Sequence, residues 1–91
     1  METDIKTLWE YACNGKINAL KEYFKSENSI INRRYKRLGA SYSLIMGAFR
    51  NNQFDTVEYL ISIGETITDE ERKEINKELK RIELIKKLGE L

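Results

Sequence analysis

The sequence predicts an all-α protein: a short solenoid of two helix pairs closed by a C-terminal amphipathic helix. Three observations carry this expectation. Apolar residues recur at three- and four-residue spacing along most of the chain. One stretch repeats another at a constant offset of 37 residues. Thr68-Asp69-Glu70-Glu71 has the form of a capping box at the head of a long striped segment.

The first apolar run is Ile5, Leu8, Tyr11 and Ala12, and it breaks at Asn14-Gly15. The second is Ile17, Leu20, Tyr23 and Phe24, ending near Ser26. These are expected to be short helices joined by a tight turn at Gly15, where a left-handed backbone is cheap. A polar, basic stretch follows over residues 26–41. Leu44, Ile45, Ala48 and Phe49 then predict a third helix that stops at Asn51-Asn52, since Asn also tolerates the left-handed conformation. Phe54, Val57, Tyr59, Leu60 and Ile61 predict a fourth, closed by Gly64. The fifth runs from Asp69 to about Leu88, with Gly89 as terminator and a stripe of Ile75, Leu79, Ile82, Ile85 and Leu88. Acidic residues in its first turn suit the helix dipole.

Ninety-one residues suffice for one domain of modest stability. The 41% apolar and 34% charged composition belongs to a folded, well-solvated chain. A net charge of +1 gives no global attraction to nucleic acid or to a membrane surface, so any electrostatic recognition must be local. No apolar run approaches membrane-spanning length. Met1-Glu2-Thr3-Asp4-Ile5-Lys6 lacks the basic start and apolar run of a signal peptide. The single cysteine, Cys13, asks for no oxidising compartment. A cytoplasmic protein without membrane association is expected.

The internal repeat aligns Leu8 with Ile45, Ala12 with Phe49, Ile17 with Phe54, Leu20 with Val57, Tyr23 with Leu60 and Phe24 with Ile61. The turn residues align too, Asn14 with Asn51 and Gly15 with Asn52. Over residues 5–68 the chain resembles the ankyrin repeat family, whose unit of about 33 residues is a helix pair plus a projecting finger. Ser43-Leu44-Ile45 stands at that family's T-P-L, Asn51-Asn52 at N-G, Phe54-Asp55-Thr56-Val57 at L-x-x-V, and Gly64-Glu65-Thr66-Ile67-Thr68 at G-A-D-V-N. In the first unit Ala12-Cys13-Asn14-Gly15, Ile17-Asn18-Ala19-Leu20 and Ile31-Asn32 match. Trp9 and Met46 occupy the family's histidine position, and Phe49 stands where alanine is usual, a bulk expected to splay the second pair. The resemblance implies a single domain over 1–91: a first repeat at 5–32, an extended basic finger loop at 33–42, a second repeat at 43–68 and a capping helix at 69–89. Solenoids generally need about three units, so the fifth helix is expected to replace the third and cover the second pair with its stripe.

Nothing in the chain assembles a reaction. Histidine is absent, no phosphate-cradling glycine motif occurs, and Cys13 has only Glu10 and Lys16 as charged neighbours in sequence. No catalytic residue, metal ligand or cofactor is expected; Asp69-Glu70-Glu71 reads as helix-terminal charge. The cluster Arg33-Arg34-Tyr35-Lys36-Arg37 is the main candidate contact, because arginine forks around an aromatic ring suit carboxylate or phosphate recognition. Its alternative is a solvated loop that only discourages aggregation. By the ankyrin resemblance, Cys13, Asn14, Arg50 and Asn51 join it on a concave surface, giving one basic, polar strip. Trp9 reads as a core anchor.

These features favour a protein-binding adaptor or a stoichiometric inhibitor of the immunity-protein kind, docking on a partner protein with an acidic surface. The alternative is a nucleic-acid-binding accessory protein using residues 33–37 on phosphates, which the seven acids and seven bases of 68–91 count against. Leu84 lies off the main stripe and with Leu88 and Leu91 offers a self-association face, so either a monomer or a weak homodimer is compatible with the sequence.

Overall fold

The computed structural model describes residues 4–26 and 29–91. The first three residues, which carry part of the signal-peptide argument, and residues 27–28 of the first repeat lie outside the described residues. The chain runs α1 (Ile5–Cys13), α2 (Ile17–Lys25), β1 (Arg34–Arg37), β2 (Ala40–Ser43), α3 (Leu44–Arg50), α4 (Phe54–Ser62) and α5 (Asp69–Gly89).

The 37-residue repeat is a repeat of conformation. Gly15 and Asn52 both adopt the left-handed backbone, at φ 69° and 60°. The Lys16 amide donates to the Tyr11 carbonyl at 2.8 Å, and the Gln53 amide to the Ala48 carbonyl at 2.9 Å. The Gly15 amide reaches the Ala12 carbonyl, and the Asn52 amide the Phe49 carbonyl. This pair of bonds is the Schellman closure, and it returns at Gly64, φ 101°, after α4. Helices α1, α3 and α4 each end where a residue that accepts positive φ was available.

The core joins both pairs. Leu8 and Ala12 of α1, Leu20 and Tyr23 of α2, Leu44, Ile45 and Ala48 of α3, and Leu60 of α4 form one buried cluster. Each fully buried leucine contributes about 2–3 kcal/mol relative to exposure. The closest approach is α1 on α3 at Gly47. A Cβ there would lie 2.9 Å from the Trp9 ring and 3.1 Å from the Cys13 sulfur. Phe49 is accommodated at the rim, half-buried and edge-on to Phe54 at 6.1 Å.

Two expectations are corrected. The protein is not all-α: residues 33–42 do not form a loop but a two-stranded antiparallel hairpin, with Arg34 opposite Ser43, Tyr35 opposite Tyr42, Lys36 opposite Ser41 and Arg37 opposite Ala40. The cause is the two-residue connection Leu38-Gly39, both residues at positive φ (52° and 78°), whose twist matches that of paired strands. Ser43 ends β2 and caps α3, its hydroxyl accepting from the Met46 amide at 3.1 Å. Nor does the stripe of α5 cover the second helix pair. Glu71 is buried and Ile75 half-buried, but Leu79, Ile82, Ile85 and Leu88 are all exposed. Beyond its first two turns α5 is mostly exposed, with Glu78 half-buried. No helix among the described residues is long and apolar enough to cross a membrane.

Candidate protein-binding face

The hairpin stands on a row of rings. Tyr35 of β1 stacks on Trp9 of α1, with centroids 5.3 Å apart and planes 13° from parallel. Tyr42 of β2 meets the same indole at 5.6 Å. Tyr35 and Tyr42 are opposite one another in the register, so they project from one face of the hairpin and clasp Trp9 between them. The absent side chain at Gly47 makes room for the indole. Arg50 of α3 extends the row, its guanidinium 4.7 Å from the centre of the Tyr42 ring. Aromatic contacts of this kind each add about 0.5–1.5 kcal/mol beyond simple burial. They hold the hairpin in one orientation on α1 and α3.

Glu71 fixes the hairpin from the other side. Its Oε2 accepts from the Ser43 amide at 2.9 Å and the Ser43 hydroxyl at 3.0 Å. Its Oε1 accepts from the Thr68 amide at 3.0 Å, completing the capping box, and lies 3.1 Å from the Arg34 guanidinium. One carboxylate thus joins the start of α5, the start of α3 and the base of β1. Burial pushes this carboxyl upward, but the amides of Ser43 and Thr68, the Ser43 hydroxyl and Arg34 together outweigh it and hold it below the ordinary glutamate value. The sequence pattern marks Glu71 as a cap; its two longer-range bonds carry no local signal.

The cations expected to form one strip are divided. Arg34 is bound to Glu71 and to Ser41, the latter through the hydroxyl at 2.7 Å and the carbonyl at 3.1 Å. Arg50 makes a two-pronged pair with Glu74 at 2.8 and 2.9 Å. Both arginines lie with Glu70, Glu71 and Glu74 along an open cleft of about 490 Å³, so acids outnumber bases there. Arg33 turns to Tyr23, donating to its hydroxyl at 3.3 Å with the guanidinium 6.0 Å from the ring. Asn51 caps its own helix by donating to the Gly47 carbonyl at 2.8 Å. Asn14 is exposed at the end of α1. Cys13 is half-buried beside Gly47; burial first, and Glu10 second, raise its thiol, which stays protonated at neutral pH. The structure therefore gathers Tyr35, Arg50 and Cys13 around Trp9 and Tyr42, and leaves Arg34 on the opposite side of the hairpin with Glu71. Lys36 and Arg37 stand at the far end of the hairpin, both exposed.

Between that pair and Gly39 stands Leu38, 94% exposed and in the left-handed conformation. Sequence reasoning passed over it. The available signal was its place before Gly39 at the midpoint between Tyr35 and Tyr42, where Asn or Asp is the usual residue of such a turn. A leucine there costs about 1–2 kcal/mol in backbone energy and buries nothing. Among the described residues, no group of three His, Cys, Asp or Glu side chains is arranged to hold a metal ion.

Comparison of the chain with protein-family models, curated proteins and solved structures found no match.

Proposed function

We propose that this protein is a small non-enzymatic binding module, of the ankyrin type that its sequence resembles, and that it acts as an adaptor or stoichiometric inhibitor by docking its hairpin on an acidic face of a partner protein. The observation that carries this reading is Leu38. A strained, fully exposed leucine does nothing for the free molecule, and strain of this kind concentrates where a chain makes contacts. Beside it, Lys36 and Arg37 supply charge that no described acid neutralises, which speeds encounter with an acidic surface and sets its orientation. Behind it, the Tyr35–Trp9–Tyr42 clasp keeps the hairpin rigid, so little ordering entropy is lost on docking. The half-buried rings and the Arg34–Glu71 and Arg50–Glu74 pairs form the flank of the contact, rich in the residue types that dominate interface energetics.

The experiment is capture of a partner from the source cells, followed by calorimetry of the purified pair. Wild type is compared with the variant Lys36→Glu/Arg37→Glu/Leu38→Asn. Binding should weaken by about a hundredfold or more, with an unchanged circular dichroism spectrum. Undiminished affinity would remove the hairpin tip from the contact. A mobility shift of RNA or DNA at low salt that is lost in the same variant would instead favour the nucleic-acid reading.

A further inference from the structure

The exposed side of α5 is self-complementary, and we infer that two copies of the chain pair through it, α5 against α5 in antiparallel orientation. Four apolar side chains of this helix stand open although they share an apolar stripe: Leu79 (48% exposed), Ile82 (42%), Ile85 (63%) and Leu88 (57%). The second helix pair offers a matching surface beside them. A groove of about 530 Å³ runs between α4 and α5, floored by Phe54, Val57, Ile61 and Ile67 and walled by Ile75 and Leu79. One helix lays its open stripe along this groove; the question is whose.

Charge selects a second copy. Residues 69–78 carry five acids and three bases, whereas 79–88 carry four bases and one acid. The helix is thus negative at its start and positive toward its end. A parallel pair would set like charge on like; an antiparallel pair sets each half on its complement. Glu58 and Arg72 also line the groove, and Glu58, which is exposed, is the acid open to the partner's Lys86 and Lys87.

The register follows from the spacing. With Ile82 on the two-fold axis, Leu79 of one copy faces Ile85 of the other, since each is three residues from the axis. Glu78 faces Lys86, each four residues from it. Ile75 then lies near Leu88, and every contact occurs twice, as an isologous interface requires. Among the described residues Glu78 pairs with Arg81 alone, at 3.6 Å, a contact weak enough to be exchanged. None of these residues belongs to the hairpin tip or the aromatic clasp, so this inference stands or falls apart from the proposed function.

Sedimentation equilibrium of the full chain from about 1 μM to about 1 mM tests it, because a dimer must dissociate on dilution. A monomer–dimer equilibrium is expected, weakened at high salt as charge pairing is screened. Ile82→Lys should raise the dissociation constant about tenfold or more. Glu78→Lys and Lys86→Glu should each weaken association, and the double variant should restore it to within about threefold of wild type. These side chains are exposed, so circular dichroism should show all variants folded as wild type. A monomer throughout the concentration range, an Ile82→Lys protein that pairs as well as wild type, or a double charge variant no better than its parents would each overturn the proposal.

Discussion

Replacing Glu71 by alanine should cost about 3–3.5 kcal/mol, far more than the loss of an ordinary helix cap. The figure is built from its bonds. The Ser43 amide is buried and loses a charged acceptor at 2.9 Å, about 1.5–2 kcal/mol. The Arg34 guanidinium, with side-chain exposure of 27%, loses a partner that is itself 8% exposed, about 1 kcal/mol. The Thr68 amide loses its half of the capping box, about 0.5 kcal/mol, since water reaches it; the other half survives because the Thr68 hydroxyl still accepts from the backbone of residue 71. At about 0.05–0.15 kcal/mol per residue the domain holds only about 5–13 kcal/mol in all. Thermal denaturation followed by circular dichroism should show Tm lowered by roughly 15–25 °C. The loss should also depend on pH. The folded carboxyl titrates below its unfolded value, so its stabilisation is complete above the unfolded value of about 4.3 and disappears as pH falls through the lower folded one. Wild type and variant should therefore converge as pH falls from about 5 through the lowered folded value. A Tm drop smaller than about 5 °C at pH 7 would refute the view that one carboxylate joins three elements.

Other perturbations separate roles that look alike. Glu65 is buried as deeply as Glu71, but burial raises its carboxyl and the Asn32 amide only partly offsets this; Oε1 has no hydrogen-bond partner among the described residues. Its ionisation opposes folding above the raised value, so Glu65→Gln should leave stability at pH 7 unchanged or raise it, measured by urea titration, where Glu71→Gln lowers it. Leu38→Asn should raise stability by about 0.5–1 kcal/mol by relieving the left-handed leucine, while binding to the captured partner falls. Gly47→Ala should displace the indole despite a gain of about 1 kcal/mol in helix propensity, giving a red-shifted, more quenchable Trp9 emission.

The helix pairs were legible because their signals are local. Gly15 and Asn52 announce left-handed turns, and Thr68 with Glu71 announces a cap, each within a few residues. The hairpin was not, because four cations over residues 33–37 mask the alternation and Leu38 replaces the asparagine that usually marks such a turn. The basic strip misled for a different reason. Formal charge is readable from sequence, but its neutralisation is not: Arg34 finds Glu71 and Arg50 finds Glu74 across 37 and 24 positions. For α5, periodicity reveals an apolar stripe without saying whether the chain's own body reaches it; the body half-buries Ile75 and leaves the rest of the stripe largely exposed.

The joint at Asn32 has a consequence for how the molecule comes apart. The Asn32 amide donates to Glu65 at 2.8 Å, and the Thr66 amide returns a bond to the Asn32 side chain at 2.8 Å. Two connectors more than thirty residues apart are thereby stitched at a single knot, ahead of the hairpin and ahead of α5. The knot ties the connector that follows the first helix pair to the one that follows the second. Slow amide exchange at both Asn32 and Thr66, at a common rate, is the signature of a chain that melts in one step while the far turns of its last helix fray freely.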